Sequence, residues 1–253
     1  MAFIAYFLWK RQWKIALASA MFTALFTLLP VTIMGTKAYW QAERYWAHQL
    51  WLGIYNPDPS YTVMGPDRVG NLSLRTALAR YMMHLPYGNP GRPETPVDSM
   101  VPNRPPERLY FDVFTLSPVV AGTVVKAILL LIAAATAWVF RRRVTDRNHA
   151  SILWECAAIS VAALLYSPLT WAQHCPAALP ALYFLFRAAF AGRPLPRDVI
   201  AVLVYFFIVI CVLQSGVIGA RLTGLRDAYH LRNFALLALF WATLRCRGVA
   251  ATA

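Results

Sequence analysis

The chain has 253 residues, of which 59% are hydrophobic and only 14% charged, with mean hydropathy +0.48. A soluble domain of this length needs a more charged surface, so the composition excludes a water-soluble globular protein and makes the bilayer the solvent. The net charge of +13 calls for no nucleic acid: no basic stripe interleaved with aromatics sits on a soluble module, and basic residues also anchor membrane helices beside anionic headgroups.

Ala2 to Trp9 is apolar but too short to cross a bilayer, and Lys10, Arg11 and Lys14 follow it rather than precede it, the wrong order for a signal peptide. It reads as the tail of a helix. A crossing takes about 17 to 25 apolar residues. Runs near that length cover Ile15 to Met34, Leu116 to Phe140, Ile152 to Tyr166, Pro176 to Phe190 and Val199 to Ala220, with a weaker one over Leu231 to Leu244. The predicted fold is all-α, one polytopic membrane domain of about six transmembrane helices. Residues 1–34 form the helix tail and first full span, 35–115 a long outer segment, and 116–253 a bundle of about five spans.

Within the outer segment, Thr36 to Leu52 predicts an amphipathic helix bearing Trp40, Tyr45, Trp46 and Trp51, residues that favour the membrane interface. Leu72 to Leu85 predicts a second helix, with Asn71 at its N-cap and Leu74, Leu78, Tyr81 and Met82 at helical spacing. Pro86 to Pro106 is crowded with Pro, Gly and Asn and reads as an irregular outer loop, a candidate lid.

Short basic loops orient the bundle. Lys10, Arg11 and Lys14, then Arg141, Arg142, Arg143 and Arg147, then Arg193 and Arg197, then Arg245 and Arg247 all fall on one side if every span crosses. The positive-inside bias makes that side cytoplasmic, with the C-terminus there and the chain integral to an inner or plasma membrane. Two polar motifs then share the outer face: Gly70-Asn71-Leu72-Ser73-Leu74 and Ser167-Pro168-Leu169-Thr170-Trp171-Ala172-Gln173-His174. Polar sequence at membrane depth marks a site. The four cysteines and five histidines are dispersed, so neither a disulfide framework nor a metal site is read from them. There is no glycine-rich phosphate loop and no nucleophile elbow, and no cofactor is expected.

Each candidate residue has a functional and a structural reading. His174 can donate a hydrogen bond or charge to a phosphate leaving group, or be a satisfied polar residue at a helix end. Trp171 can stack on a sugar or prenyl chain, or sit at the interface as tryptophans do. Ser167 and Gln173 can bond sugar hydroxyls, or cap helix ends freed by Pro168. Asn71 and Ser73 shape a helix entry or touch substrate. Arg75 and Arg80 can hold a donor phosphate bidentately, or meet solvent and headgroups. Lys126 reads as a long stem reaching from a span to the interface, and Glu155 as the structural partner of Arg143 or Arg147.

The order of apolar span, aromatic-rich segment, Gly70-Asn71-Leu72-Ser73-Leu74 opening a helix, Pro-rich loop, and Leu165-Tyr166-Ser167-Pro168-Leu169-Thr170-Trp171-Ala172-Gln173-His174 followed by Pro180 resembles the C-terminal half of glycosyltransferase family 87. The family's patterns are Gly-Asn-Gln-Ser-Leu and Ser-Pro-x-Ser-Trp-x-His-His. Leu72 replaces the usual glutamine and Gln173 the first histidine. The resemblance implies the C-terminal part of a GT-C fold related to polyprenyl-phosphate-mannose-dependent mannosyltransferases, whose partners are a polyprenyl-phosphate sugar donor, a glycolipid or glycan acceptor and the lipid bilayer. Such enzymes take their acceptor base from a carboxylate in the first outer loop. Glu43, Asp58, Asp67, Glu94, Asp98, Glu107, Asp112 and Asp227 do not match it, so the resemblance predicts a fragment, or one half of a split enzyme with a separately encoded N-terminal half, inactive by itself. The alternatives are a non-catalytic lipid or glycolipid binding or transport component, and the remnant of a decayed gene.

Overall fold

A computed structural model describes residues 2–62, 65–66, 71–85, 112–142, 150–192 and 194–247. The described elements are helices except for one antiparallel pairing of Tyr61–Thr62 (β1) with Gly65–Pro66 (β2). The expected lid over 86–106, Gly70, and the basic residues Arg143, Arg147 and Arg193 lie outside the described residues.

Helices α1 (Ala2–Trp9) and α2 (Trp13–Leu28) pack on each other through a turn in which Arg11 adopts φ 58°. The short helix α3 (Val31–Met34) carries the apolar run on to Gly35, whose φ of 76° turns the chain into α4 (Thr36–Tyr55). That left-handed turn suits glycine because it has no Cβ to clash. Helix α4 is the expected aromatic helix, one turn longer than the sequence pattern indicates, and Trp40, Trp46 and Trp51 are exposed along it. After α5 (Leu74–Met82) come α6 (Pro118–Val139) and α7 (Ala150–Tyr166). A 3₁₀ helix over Ala172–Ala178 leads into α8 (Leu179–Phe190). Helix α9 (Arg197–Phe207) runs on as a π-turn, Ile208–Val212, and α10 (Ser215–Ala228) and α11 (Leu231–Cys246) close the chain.

Two helical stretches are long and apolar enough to cross a membrane, Trp13–Met34 and Pro118–Val139, each of 22 residues. On the first, Leu17, Met21, Phe22, Leu25 and Phe26 are all exposed, a surface stable only against lipid or another apolar partner. The remaining helices are shorter. The run Val199 to Ala220 is not one helix: it breaks after the π-turn, where the Arg226 guanidinium takes the Leu213 carbonyl and the Gln214 amide takes that of Ile210. Those side chains supply the partners that freed backbone groups need in an apolar setting.

The core centres on α11, which packs against α7, α8, α9 and α10. It buries Ala235, Leu236, Leu239, Phe240, Ala242, Thr243 and Cys246, spaced to form one broad face of the helix. At one end of α7, residues from separate basic clusters meet. Lys10 Nζ lies 2.9 Å from Glu155 Oε2 and donates to the carbonyls of Phe140 and Arg142, Arg247 pairs with Glu155 and donates to Val139 O at 2.8 Å, and Arg245 pairs with Asp198 at 2.7 Å. Glu155 thus finds Lys10 and Arg247 as its described partners, together with the Tyr6 hydroxyl at 2.6 Å. At the opposite ends of α7 and α11 lie the two polar motifs.

Candidate functional site

Asn71 joins the motifs. Its Oδ1 accepts from the backbone N–H of Thr170 at 2.9 Å and of Ser73 at 3.1 Å, while its Nδ2 donates to Pro168 O at 3.2 Å. The backbone adds a bond from Leu72 N to Thr170 O at 2.7 Å. Asn71, Ser73 and Thr170 are all buried, so these bonds replace water outright. Asn71 is therefore not the N-cap of α5. The helix starts two residues later, from Ser73, and the Asn71 side chain makes a turn that ties its entry to the second motif. The Ser73 carbonyl is held in turn by Ala77 N at 3.1 Å, Thr76 Oγ1 at 3.0 Å and Asn233 Nδ2 of α11 at 2.9 Å. Leu72 is buried in the main apolar cluster, so the residue that departs from the family pattern faces the core.

In the second motif, Ser167 Oγ donates to Leu169 O at 2.7 Å and Thr170 Oγ1 to Leu164 O at 2.7 Å, closing the end of α7. Trp171 and His174 are locked reciprocally: His174 N donates to Trp171 O at 2.9 Å, and Trp171 N donates to His174 Nδ1 at 3.1 Å. With Nδ1 accepting, the neutral imidazole carries its proton on Nε2. His174 and Gln173 are exposed and Trp171 half-buried, so the Nε2–H is free to donate to a ligand.

The arginines go elsewhere. Arg75 donates to the carbonyls of Gly53, Asn56 (3.1 Å) and Asp58 (3.0 Å), capping the end of α4. Arg80 is buried near His230. Beside it, Arg226 and Arg232 share Asp227 at 2.8 and 3.0 Å. His230, at the start of α11, has φ 50° and is 1% exposed, with the Asn233 side chain as its polar neighbour. Burial, and then the Arg80 charge, push it down to about 3. The folded protein therefore holds it neutral, whereas an unfolded chain protonates it below its ordinary value of about 6.5. Stability from this group is full above pH 6.5 and falls with pH, by about 2 kcal/mol at pH 5. His230→Asn, which tolerates positive φ, is expected to flatten that part of the pH dependence of thermal unfolding between pH 7 and 5.

A cleft of about 350 Å³ opens beside the second motif, between the end of α4, α5, α6 and α7. Its lining includes Ile54, Arg75, Lys126, Leu129, Tyr166 and Pro168. Gly122 also lines it, and a Cβ there would overlap the Pro57 carbonyl oxygen. That close approach seats the loop after α4 on α6 and makes one wall. None of the described carboxylates lines the cleft.

The family profile of glycosyltransferase family 87 matches residues 1–168, the first motif included, and stops two residues into the second. The chain belongs to that family. No curated protein and no solved structure matches it. Family 87 membership makes the protein a glycosyltransferase whose substrates are a sugar donor and an acceptor, and with its two long apolar helices it is a membrane protein. Sequence reasoning had not singled out Thr170, Gly122 or Asn233. An asparagine near the start of a mainly apolar run, next to Arg232, is the available signal for the last, since such a residue in a span is there to hydrogen-bond across helices.

Proposed function

We propose that this family 87 protein is the C-terminal part of a GT-C enzyme of about six spans that transfers a hexosyl group, mannose foremost, from a polyprenyl-phosphate donor to a glycolipid or glycan at the outer membrane face. The observation that carries the reading is the joining of both polar motifs through Asn71 at the end of the bundle remote from the basic clusters, next to a cleft with apolar and cationic walls. The positive-inside bias turns that end outward.

In a single displacement, an acceptor hydroxyl oxygen bonds to the sugar's anomeric carbon as the bond from that carbon to the phosphate oxygen breaks. The electron pair leaves with the polyprenyl phosphate and the hydroxyl proton passes to a carboxylate. His174 Nε2–H meets the charge growing on the departing phosphate, Trp171 stacks on sugar or prenyl chain, and Gln173 bonds sugar hydroxyls, while the Ser167 hydroxyl, which donates to Leu169 O, shapes the site from the helix end.

The base is the part not found near the cleft. Among the described outer carboxylates, Glu43 lies beside Tyr39 on α4, Asp58 Oδ1 accepts from Ser60 N and Oγ, Asp112 pairs with His84, and Asp227 with two arginines. Asp67, Glu94, Asp98 and Glu107 lie outside the described residues. We propose that the base is a carboxylate outside the described cleft, supplied by this chain or by a partner membrane segment.

Transfer of radiolabelled mannose from polyprenyl-phosphate mannose into the lipid fraction tests this. The expected result is no transfer by the chain alone and transfer on co-expression with an upstream membrane segment bearing an outer aspartate. His174→Ala is expected to cut that rate about 100-fold or more. Binding of donor without transfer in any pairing would overturn the enzyme reading in favour of a non-catalytic lipid-binding component.

A further inference from the structure

Lys126 lies on α6 eight residues after its first residue, Pro118, which puts it about 12 Å along the helix axis. It has no hydrogen bond or ion pair among the described residues and is exposed. An ammonium group inside a membrane-crossing helix is costly unless something compensates it. The residues lining the cleft from α6 are Gly122, Val125, Lys126 and Leu129, the stripe of one helical face. Lys126 therefore lines an open cleft, which its long stem can reach along on the way to the interface.

The cleft's chemistry is lopsided. Two cations, Lys126 and Arg75, line it with no carboxylate among its walls. The Asp58 charge offsets Arg75 in part, but Asp58 Oδ1 is already taken by Ser60, and Arg75 itself is spent on carbonyls. The Tyr166 hydroxyl is spent as well, donating to Leu129 O at 2.7 Å. The one donor-rich group left open in the cleft is the Lys126 ammonium. Around it stand Ile54, Val125, Leu129 and Pro168, apolar walls suited to hydrocarbon. Such a cavity fits an amphiphile with a compact anionic head and an apolar chain, rather than a sugar, which needs several hydroxyl partners.

We propose that Lys126 is the donor-binding cation: its ammonium holds the phosphate of the polyprenyl-phosphate donor in this cleft, with the first prenyl carbons along Val125 and Leu129. The assignment rests on the transfer reading above and adds a binding residue to it. Arg75 fixes the wall and contributes background charge.

The test uses the full chain in phosphatidylcholine nanodiscs, with polyprenyl monophosphate as the probe and native mass spectrometry of the bound lipid as readout. Lys126→Gln is expected to weaken binding about tenfold or more, the loss of one charge-assisted bond, and Lys126→Arg to stay within about threefold of wild type. On the unaltered protein, polyprenyl monophosphate is expected to shield Lys126 from amine acylation, read by peptide mass spectrometry, so the outcome does not depend on how a variant folds. Equal binding by wild type and Lys126→Gln, or unshielded Lys126 in saturated protein, would overturn the assignment and leave the transfer reading standing. Lys126-dependent capture of phosphatidylglycerol without capture of polyprenyl monophosphate would overturn both.

Discussion

Glu155→Gln is expected to destabilise the protein by about 3–5 kcal/mol, the usual cost of breaking a buried ion pair from one side. Glu155 is fully buried and Lys10 is 5% exposed, so the substitution leaves the ammonium with neutral partners, the carbonyls of Phe140 and Arg142 and the rings of Tyr6 and Trp9, and no compensating charge. Arg247 loses the same charge, and the glutamine amide offers one acceptor oxygen, where the carboxylate has two, to share among Lys10, Arg247 and the Tyr6 hydroxyl. The cluster draws in α1, the end of α6, α7 and the end of α11, so its loss frees the N-terminal helix from the bundle as well as lowering the melting temperature. Tryptophan fluorescence during thermal unfolding in detergent reads the first effect, and protease access around Arg11 the second. A triple variant, Lys10→Met, Glu155→Leu and Arg247→Met, is expected to recover most of the loss, because hydrophobic replacement of a whole buried cluster spares the desolvation cost. A Glu155→Gln protein within about 1 kcal/mol of wild type would show the cluster to be solvated.

Hydropathy located the helices well where each one stands alone. The expected boundaries of α6 and α7 fall within two residues of those observed, because a run of apolar residues in a crossing helix is read directly as burial in lipid or protein. It failed between Val199 and Ala220, since no hydropathy window registers that Arg226, thirteen residues on, supplies a donor to the Leu213 carbonyl. That same bond accounts for Arg226, a basic residue at the end of the bundle that carries the polar motifs. Its guanidinium is buried and paired with Asp227, so it is a structural group and carries no weight in orienting the chain.

Within the site, sequence reasoning brought the two motifs to one face from loop charges alone, and the described residues join there. What it could not read was which atoms do the joining. Asn71 was read as a helix cap because its local pattern is that of one, but its acceptor serves a backbone N–H ninety-nine positions away as well as its neighbour's. Arg75 carries the charge that suggested phosphate, yet its guanidinium fan matches three carbonyls at the end of α4, a fit that depends on tertiary placement. Lys126 was legible as an unusual residue in a span. That it lines a cleft follows only from Gly122, which lets the Pro57 loop approach α6.

Asn71→Ala is expected to be the most damaging change within the site. The side chain satisfies two buried donors and one carbonyl. Truncation leaves the N–H groups of Thr170 and Ser73 buried without acceptors, at about 1–3 kcal/mol each, and the small void adds to this. The expected total is about 2–5 kcal/mol, since neighbouring losses do not add fully. Asn71→Asp separates the roles: a carboxylate keeps the acceptor for both N–H groups and loses the donor to Pro168 O, so it is expected to fall between wild type and alanine. The Leu72 N to Thr170 O bond remains in both variants, which keeps the motifs neighbours and makes the effect on geometry finer than that on stability. Transfer by the co-expressed halves, measured at a temperature where Asn71→Asp stays folded, then reports on position. A rate near wild type would mean that the motifs need only proximity. A loss of about tenfold or more would mean that Asn71 sets the path from Pro168 to His174 to within a fraction of an ångström, the tolerance that positioned chemistry demands.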